Sequence, residues 1–177
     1  MSDSFLKDEQ KVSDDRQRDE LLEPAALQEP LSDLSELQPV VSLTPQASVR
    51  EAVKQMREKS VGIVLVVEEG KLVGVFSERD VLRKVVGEDV DLDSTQLSEL
   101  MTENPECLHA ENPLVYALHQ MSVGGYRHIP LIDEQGSPVA VVSMRDIVGH
   151  LAALYPDQVM NLPGHPNQAI TSTREGA

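Results

Sequence analysis

Gly74-Val75-Phe76-Ser77-Glu78-Arg79-Asp80-Val81-Leu82 returns 66 residues later as Ala140-Val141-Val142-Ser143-Met144-Arg145-Asp146-Ile147-Val148. In both copies an apolar, largely β-branched run ends at Ser, and Ser-x-x-Asp opens a short apolar-periodic stretch. That is the pattern of a strand turning directly into a capped helix. The repetition extends outward on both sides. Upstream of the first copy, Val61-Gly62-Ile63-Val64-Leu65-Val66-Val67 is too short for a packed helix and reads as a buried strand; His128-Ile129-Pro130-Leu131-Ile132 holds the same place before the second. Glu68-Glu69-Gly70-Lys71 and Asp133-Glu134-Gln135-Gly136 are hairpin turns in which Gly supplies positive φ. Earlier still, Ser48 and Glu51 frame a helix with an apolar stripe at Val49, Ala52, Val53 and Met56, matched by Leu114, Ala117, Leu118 and Met121. The lead-in Leu34-Ser35-Glu36-Leu37 recurs as Leu97-Ser98-Glu99-Leu100, and the whole period is about 65 residues.

Each period therefore predicts strand, helix, strand, hairpin, strand, helix, an α/β (α+β) unit of β-α-β-β-α type. Some 60 residues cannot cover the apolar faces such a unit carries, so the two units should pack as a pseudo-two-fold pair. The expected divisions are an acidic tail over 1–30, a first unit over 31–90, a second over 91–155 and a C-terminal tail over 156–177. Residues 1–38 hold 11 acids and 4 bases, while 21 of the 22 valines lie beyond them. Charge outweighs apolar content there, and disorder is expected. The last segment, with three prolines and two glycines, is expected to be a second flexible tail.

The chain of 177 residues has a formal net charge of −15 and a single cysteine. A surface this acidic repels phosphates and anionic headgroups over a Debye length of about 8 Å, which argues against nucleic-acid and membrane partners. Asp3, Asp8, Glu9, Asp14 and Asp15 stand where a secretory peptide needs an apolar core, so a cytoplasmic protein is expected. No nucleotide-binding glycine motif and no H-E-x-x-H occurs. Cys107 and His109 alternate on an expected strand and face one side, yet nothing nearby completes a catalytic or metal site. Catalysis is not expected, and no metal site either; a site from Cys107, His109 and His128 is the metal alternative to weigh.

The paired Ser-x-x-Asp signatures, together with Met101-Thr102-Glu103-Asn104-Pro105 and Tyr126-Arg127-His128-Ile129-Pro130-Leu131, resemble those of CBS domains, named after cystathionine β-synthase. The resemblance covers Leu31 to Tyr155 and looks like a stand-alone tandem pair, a Bateman module. The second copy has Ala140 where the family usually has Gly, and the first has Leu37-Gln38-Pro39 in place of the M-T-x-N-P lead-in. The resemblance implies a non-catalytic regulatory module with clefts for an adenine nucleotide (AMP, ADP or ATP, with Mg as its companion ion), the Ser taking phosphate and the Asp the ribose hydroxyls. The first cleft would use Thr44, Val61, Gly62, Ile63, Val64, Ser77, Arg79 and Asp80. The second would use His109, Tyr126, Arg127, His128, Ile129, Pro130, Ser143, Arg145 and Asp146, and is favoured because Arg127 and His128 align with Val61 and Gly62 and bring cations. It also implies a homodimer formed through the helices and a regulated protein whose identity is unknown. Read from residues alone, both Ser-x-x-Asp pairs are also ordinary helix caps. S-adenosylmethionine in the clefts and a ligand-free interaction scaffold are the alternatives.

Overall fold

A computed structural model describes residues 25–35 and 37–154. Most of both expected tails, and His165, lie outside the described residues.

The first unit contains β1 (Ser42–Leu43), α1 (Val49–Lys59), β2 (Ile63–Glu68), β3 (Lys71–Ser77) and α2 (Glu78–Lys84). The lead-in to the second contributes α3 (Leu97–Leu100) and β4 (Thr102–Glu103), followed by α4 (Leu114–Gly124), β5 (His128–Ile132), β6 (Pro138–Ser143) and α5 (Met144–Leu154). The first unit forms the pattern read from the repeat, and the second forms it from its first helix onward. Ser48 caps α1 by accepting from the Glu51 amide at 3.2 Å, and Val49, Ala52 and Met56 are buried as the stripe predicts. Glu69 and Gly70 both take positive φ, 49° and 81°, the requirement of a two-residue hairpin that pairs Glu68 with Lys71.

The lead-ins are exchanged between the units. β4 lies in the lead-in of the second unit but pairs with β3 of the first, Thr102 opposite Val75, giving the sheet order β1-β2-β3-β4. Gln38, in the lead-in of the first unit, makes the matching bridge to Val141 of the second, with amide-to-carbonyl distances of 3.0 and 3.1 Å. The cores follow the exchange. Leu97 is buried with Val49, Val64 and Phe76, whereas Leu31 and Leu34 are buried with Leu114, Ile129 and Ile147. A third cluster, Ile63, Leu65 and Val141, seals the contact between the two sheets. Neither unit completes its own core, so the hydrophobic driving force folds them as a pair.

Two expectations change. Residues 25–30, assigned from sequence to the acidic tail, dock on the second unit: Ala26 is buried, Leu27 packs on the second core, and Leu114 donates its amide to the Glu29 carbonyl at 2.9 Å. The Glu29 carboxylate also meets His150 Nε2 at 2.8 Å. Burial of these few apolar side chains outweighs the local charge. The expected strand at Cys107–His109 shrinks to one bridge, Leu108 to Leu131. Pro105 has no amide to offer a ladder, and the His109 amide is taken by Asn112 Oδ1 at 2.8 Å.

Candidate functional site

The two β-strand-to-helix corners carry the Ser-x-x-Asp pairs. At the first, Ser77 donates its amide to Asp80 Oδ2 at 2.9 Å and its hydroxyl to the same oxygen at 2.6 Å, while Ser77 Oγ accepts from the Asp80 amide at 3.4 Å. Lys84 Nζ reaches Asp80 Oδ1 at 2.9 Å and donates to the Leu100 carbonyl at 2.6 Å, tying the end of α2 to the lead-in. At the second corner, Ser143 donates its amide to Asp146 Oδ2 at 2.8 Å and accepts from the Asp146 amide at 3.2 Å. Both pairs are helix caps in this structure, as residue-level reasoning expects.

Only the first corner opens into the large cleft, of about 480 Å³. Because of the exchanged lead-in, this cleft is composite. Ser77, Arg79, Asp80, Arg83 and Lys84 form one wall from the first unit; Thr102, Asn104, Tyr126, Arg127 and His128 form the other from the second. Of the residues assigned from sequence to the first cleft, Gly62, Ile63, Ser77, Arg79 and Asp80 line it. Thr44 lies exposed just past β1, and Val61 and Val64 are core residues. Of those assigned to the second, Tyr126, Arg127, His128 and Pro130 line the same cleft. Ile129 is core, Ser143 is buried, His109 Nδ1 meets the Ile132 carbonyl at 3.0 Å, and Arg145 and Asp146 stand outside it.

Chain position thus joins Arg127 and His128 to Ser143 and Asp146; in the structure they line the cleft that Ser77 and Asp80 also line, while the Asp146 charge still acts on His128. Arg83, Lys84, Thr102, Glu78 and Glu106 also line the cleft and were missed. Asn104 and Pro105, noted only as a motif, line it too. Asn104 adopts a left-handed φ of 45° with its amide donated to the Val73 carbonyl at 3.1 Å, which turns the chain from β4 into the cleft wall.

The electrostatics are local exceptions to an acidic protein. Arg79, Arg83, Lys84 and Arg127 border the cleft together with the carboxylates of Glu78, Asp80 and Glu106. Cations therefore outnumber acids here although the whole chain carries a net charge of −15, and a local excess of one sign draws in counter-ions. Arg79 crosses between the units to donate to the Gly125 carbonyl at the end of α4. His128 packs on Gly62, where an added Cβ would come within 2.9 Å of its Cε1. Burial, and then the Arg127 charge, push its imidazole below the ordinary histidine value, opposed by Glu78 and Asp146. Burial and then Glu106 push both the Cys107 thiol and the Tyr126 phenol up. A thiol so shifted is a poor nucleophile. Among the described residues no group of three or more His, Cys, Asp and Glu could hold a metal ion, so Cys107, His109 and His128 do not converge. No helix among them is long and apolar enough to cross a membrane.

Comparison with known proteins agrees with this architecture. The sequence profile of the CBS domain matches twice, at residues 32–87 and 97–153. A CBS domain-containing protein of Arabidopsis thaliana is 36% identical over 105 residues, covering 59% of this chain but 19% of the longer relative. A solved structure of an uncharacterized conserved protein from Pyrococcus horikoshii superimposes with a TM-score of 0.63 at 26% identity, over 70% of this chain and 92% of that one. A CBS domain protein from Pyrobaculum aerophilum, solved in complex with AMP, gives a TM-score of 0.61 at 28% identity, over 70% and 98%. Two profile matches over more than half the sequence, on two exchanged units that share a composite cleft, place this chain in the CBS domain family as a tandem pair.

Proposed function

We propose that the chain is a regulatory module that binds an adenosine-containing anion, with AMP the reference ligand, in the cleft between Ser77–Asp80 and Tyr126–His128. The observation that carries this is the gathering of Arg79, Arg83, Lys84 and Arg127 around one Ser-Asp corner in a chain of net charge −15. A carboxylate has about four lone-pair sites, so Asp80 keeps acceptor capacity for vicinal hydroxyls beyond its bonds to Ser77 and Lys84. The cations supply charge-assisted donors for phosphate. The Pyrobaculum relative, solved with AMP, supports the choice of ligand.

Binding rather than catalysis is the reading of the site. Its polar groups suit holding an anion, and the nearby thiol is pushed away from its reactive form. Occupancy would then be passed to a regulated protein, either a separate chain or the remainder of a longer one.

Calorimetric titration with AMP, ATP and S-adenosylmethionine tests the proposal. AMP at 100 times its dissociation constant should stabilise the fold by about 2.7 kcal/mol. Absence of heat and of any melting shift with all three ligands would overturn it and leave the interaction-scaffold reading.

A further inference from the structure

Arg79 belongs to the first unit, in the first turn of α2, yet its guanidinium is bonded to the Gly125 carbonyl in the second. Gly125 closes α4: it sits at φ 67° and donates its amide to the Met121 carbonyl at 3.0 Å. The last turn of α4 contains no basic residue of its own. The end of a helix presents unpaired carbonyls and partial negative charge, and Arg79 supplies the cation that this one lacks. The same arginine lines the cleft, as do Gly124 and Tyr126 immediately beside the contact. Tyr126 lies so close to Gly124 that an added Cβ would overlap its ring. One side chain therefore touches both the space for an anion and the terminus of a helix in the other unit.

We propose that Arg79 is the transmitting latch of the module: a phosphate in the cleft draws its guanidinium from the Gly125 carbonyl, and the freed C-terminal turn of α4 passes occupancy to the surface of the second unit. A phosphate is the stronger acceptor, since its bonds to a guanidinium are charge-assisted and bidentate while the carbonyl is neutral. That difference is the differential affinity without which a ligand shifts nothing. The surface reached is apolar: Tyr116 and Val123, seven residues apart on one side of α4, are 56% and 75% exposed. The inference rests on the proposed cleft function and adds how it would be read out. It also separates two ligand classes. An adenosine compound without phosphate can fill the cleft and leave the latch closed.

Amide exchange of the full chain, read at residues 122–125, tests this with wild type and Arg79→Gln, each free, with saturating AMP and with saturating adenosine. Occupancy is verified by calorimetry, and the amides of Val64 and Val66 in β2 serve as the global-stability control. In wild type, AMP should speed exchange at 122–125 by about tenfold, within the usual range of coupling, and adenosine should not. Arg79→Gln should exchange at the fast rate in every state. Slow exchange in free Arg79→Gln would overturn the latch, as would unchanged or slower exchange in AMP-saturated wild type. If AMP gives no heat, the nucleotide reading fails and transmission with it; the free-protein comparison of wild type with Arg79→Gln still reports whether the arginine holds α4.

Discussion

Ser77 donates both its amide and its hydroxyl to one oxygen of Asp80, at 2.9 and 2.6 Å, while Asp146 receives from Ser143 the amide at 2.8 Å. The two pairs are alike as caps and unlike in surroundings, because only the first lines the cleft that Arg79, Arg83, Lys84 and Arg127 border. Mutation can therefore separate capping from ligand binding. Asp80→Ala and Asp146→Ala should each lose about 1 kcal/mol of stability, the ordinary cost of a helix cap. Asp80→Ala should in addition weaken AMP more than about tenfold, one lost pair of charge-assisted bonds, whereas Asp146→Ala should hold affinity within about twofold. Denaturant melts and calorimetry on both variants decide this. A greater loss of AMP affinity in Asp146→Ala would restore the ranking that chain alignment suggests.

That ranking shows where the sequence stops being legible. The internal repeat discloses the order of strands and helices in each unit, since hydrophobic period and turn chemistry are local properties. Pairing partners are not local. Nothing in Thr102-Glu103 says that it will lie beside Gly74-Val75 of the other unit, nor that Gln38 will cross to Val141. Once the lead-ins exchange, Asn104 and Pro105 are carried to the first unit's corner, and Tyr126 to His128 face it from across the cleft. The M-T-x-N-P and Y-R-H motifs were visible in the sequence, but chain position alone could not show that Asn104, Pro105 and Tyr126 to His128 line the same cleft as Ser77 and Asp80. Residues 25–30 meet the same limit: composition assigns them to a charged tail, while their anchors, Pro113, Leu114 and His150, are more than 80 positions away.

His128 gives the module a dependence on pH with two opposed signs. Burial and Arg127 hold its imidazole below the usual value of about 6.5, with Glu78 and Asp146 partly compensating. Between the lowered value and about 6.5 the unfolded chain binds more protons than the folded one, so stability falls as pH drops through that window. Affinity for a phosphate moves the other way, because the anion favours the imidazolium at the cleft wall. Relative to His128→Gln, wild type should lose melting temperature and gain AMP affinity as pH is lowered from 7 towards 5.5. The comparison cancels titration of the phosphate itself. Parallel curves for the two proteins would remove His128 from the site.

Gly74 tests the exchanged strand. A Cβ there would come within 2.5 Å of Met101 Sδ and 3.2 Å of the Thr102 carbonyl, because β4 lies directly across β3. The side chain of Met101 can yield, but the Thr102 backbone cannot without loosening the bridge. Gly74→Ala should cost about 1–3 kcal/mol by overpacking. The repeat position in the second unit already carries Ala140, where the strand alongside is reduced to the single bridge from Gln38. Ala140→Gly should accordingly stay within about 1 kcal/mol of wild type, the backbone cost of a glycine. Thermal melts of the two variants distinguish a local clash at β4 from a general intolerance of change at this motif.

The helices leave apolar side chains uncovered in a way that argues for a second copy of the chain. α2 buries none of its residues, and Leu82 and the following Val86 are 68% and 61% exposed. On α5 of the other unit Val148 is 58% exposed. Leu82 and Val148 occupy equivalent positions in the repeat, so the pseudo-two-fold presents the same patch twice, as a self-complementary interface requires. Covering such patches gains roughly 25 cal/mol for each Å² of apolar surface removed from water. A homodimer is the expected state at micromolar concentration, and light scattering should report twice the monomer mass. Leu82→Glu and Val148→Glu should each shift it to the monomer and lower the melt only by the stabilisation that association adds, since neither side chain supports the core. A monomeric wild type would remove the interface, and the exposed end of α4 at Val123 would then be the surface left for a different protein to read.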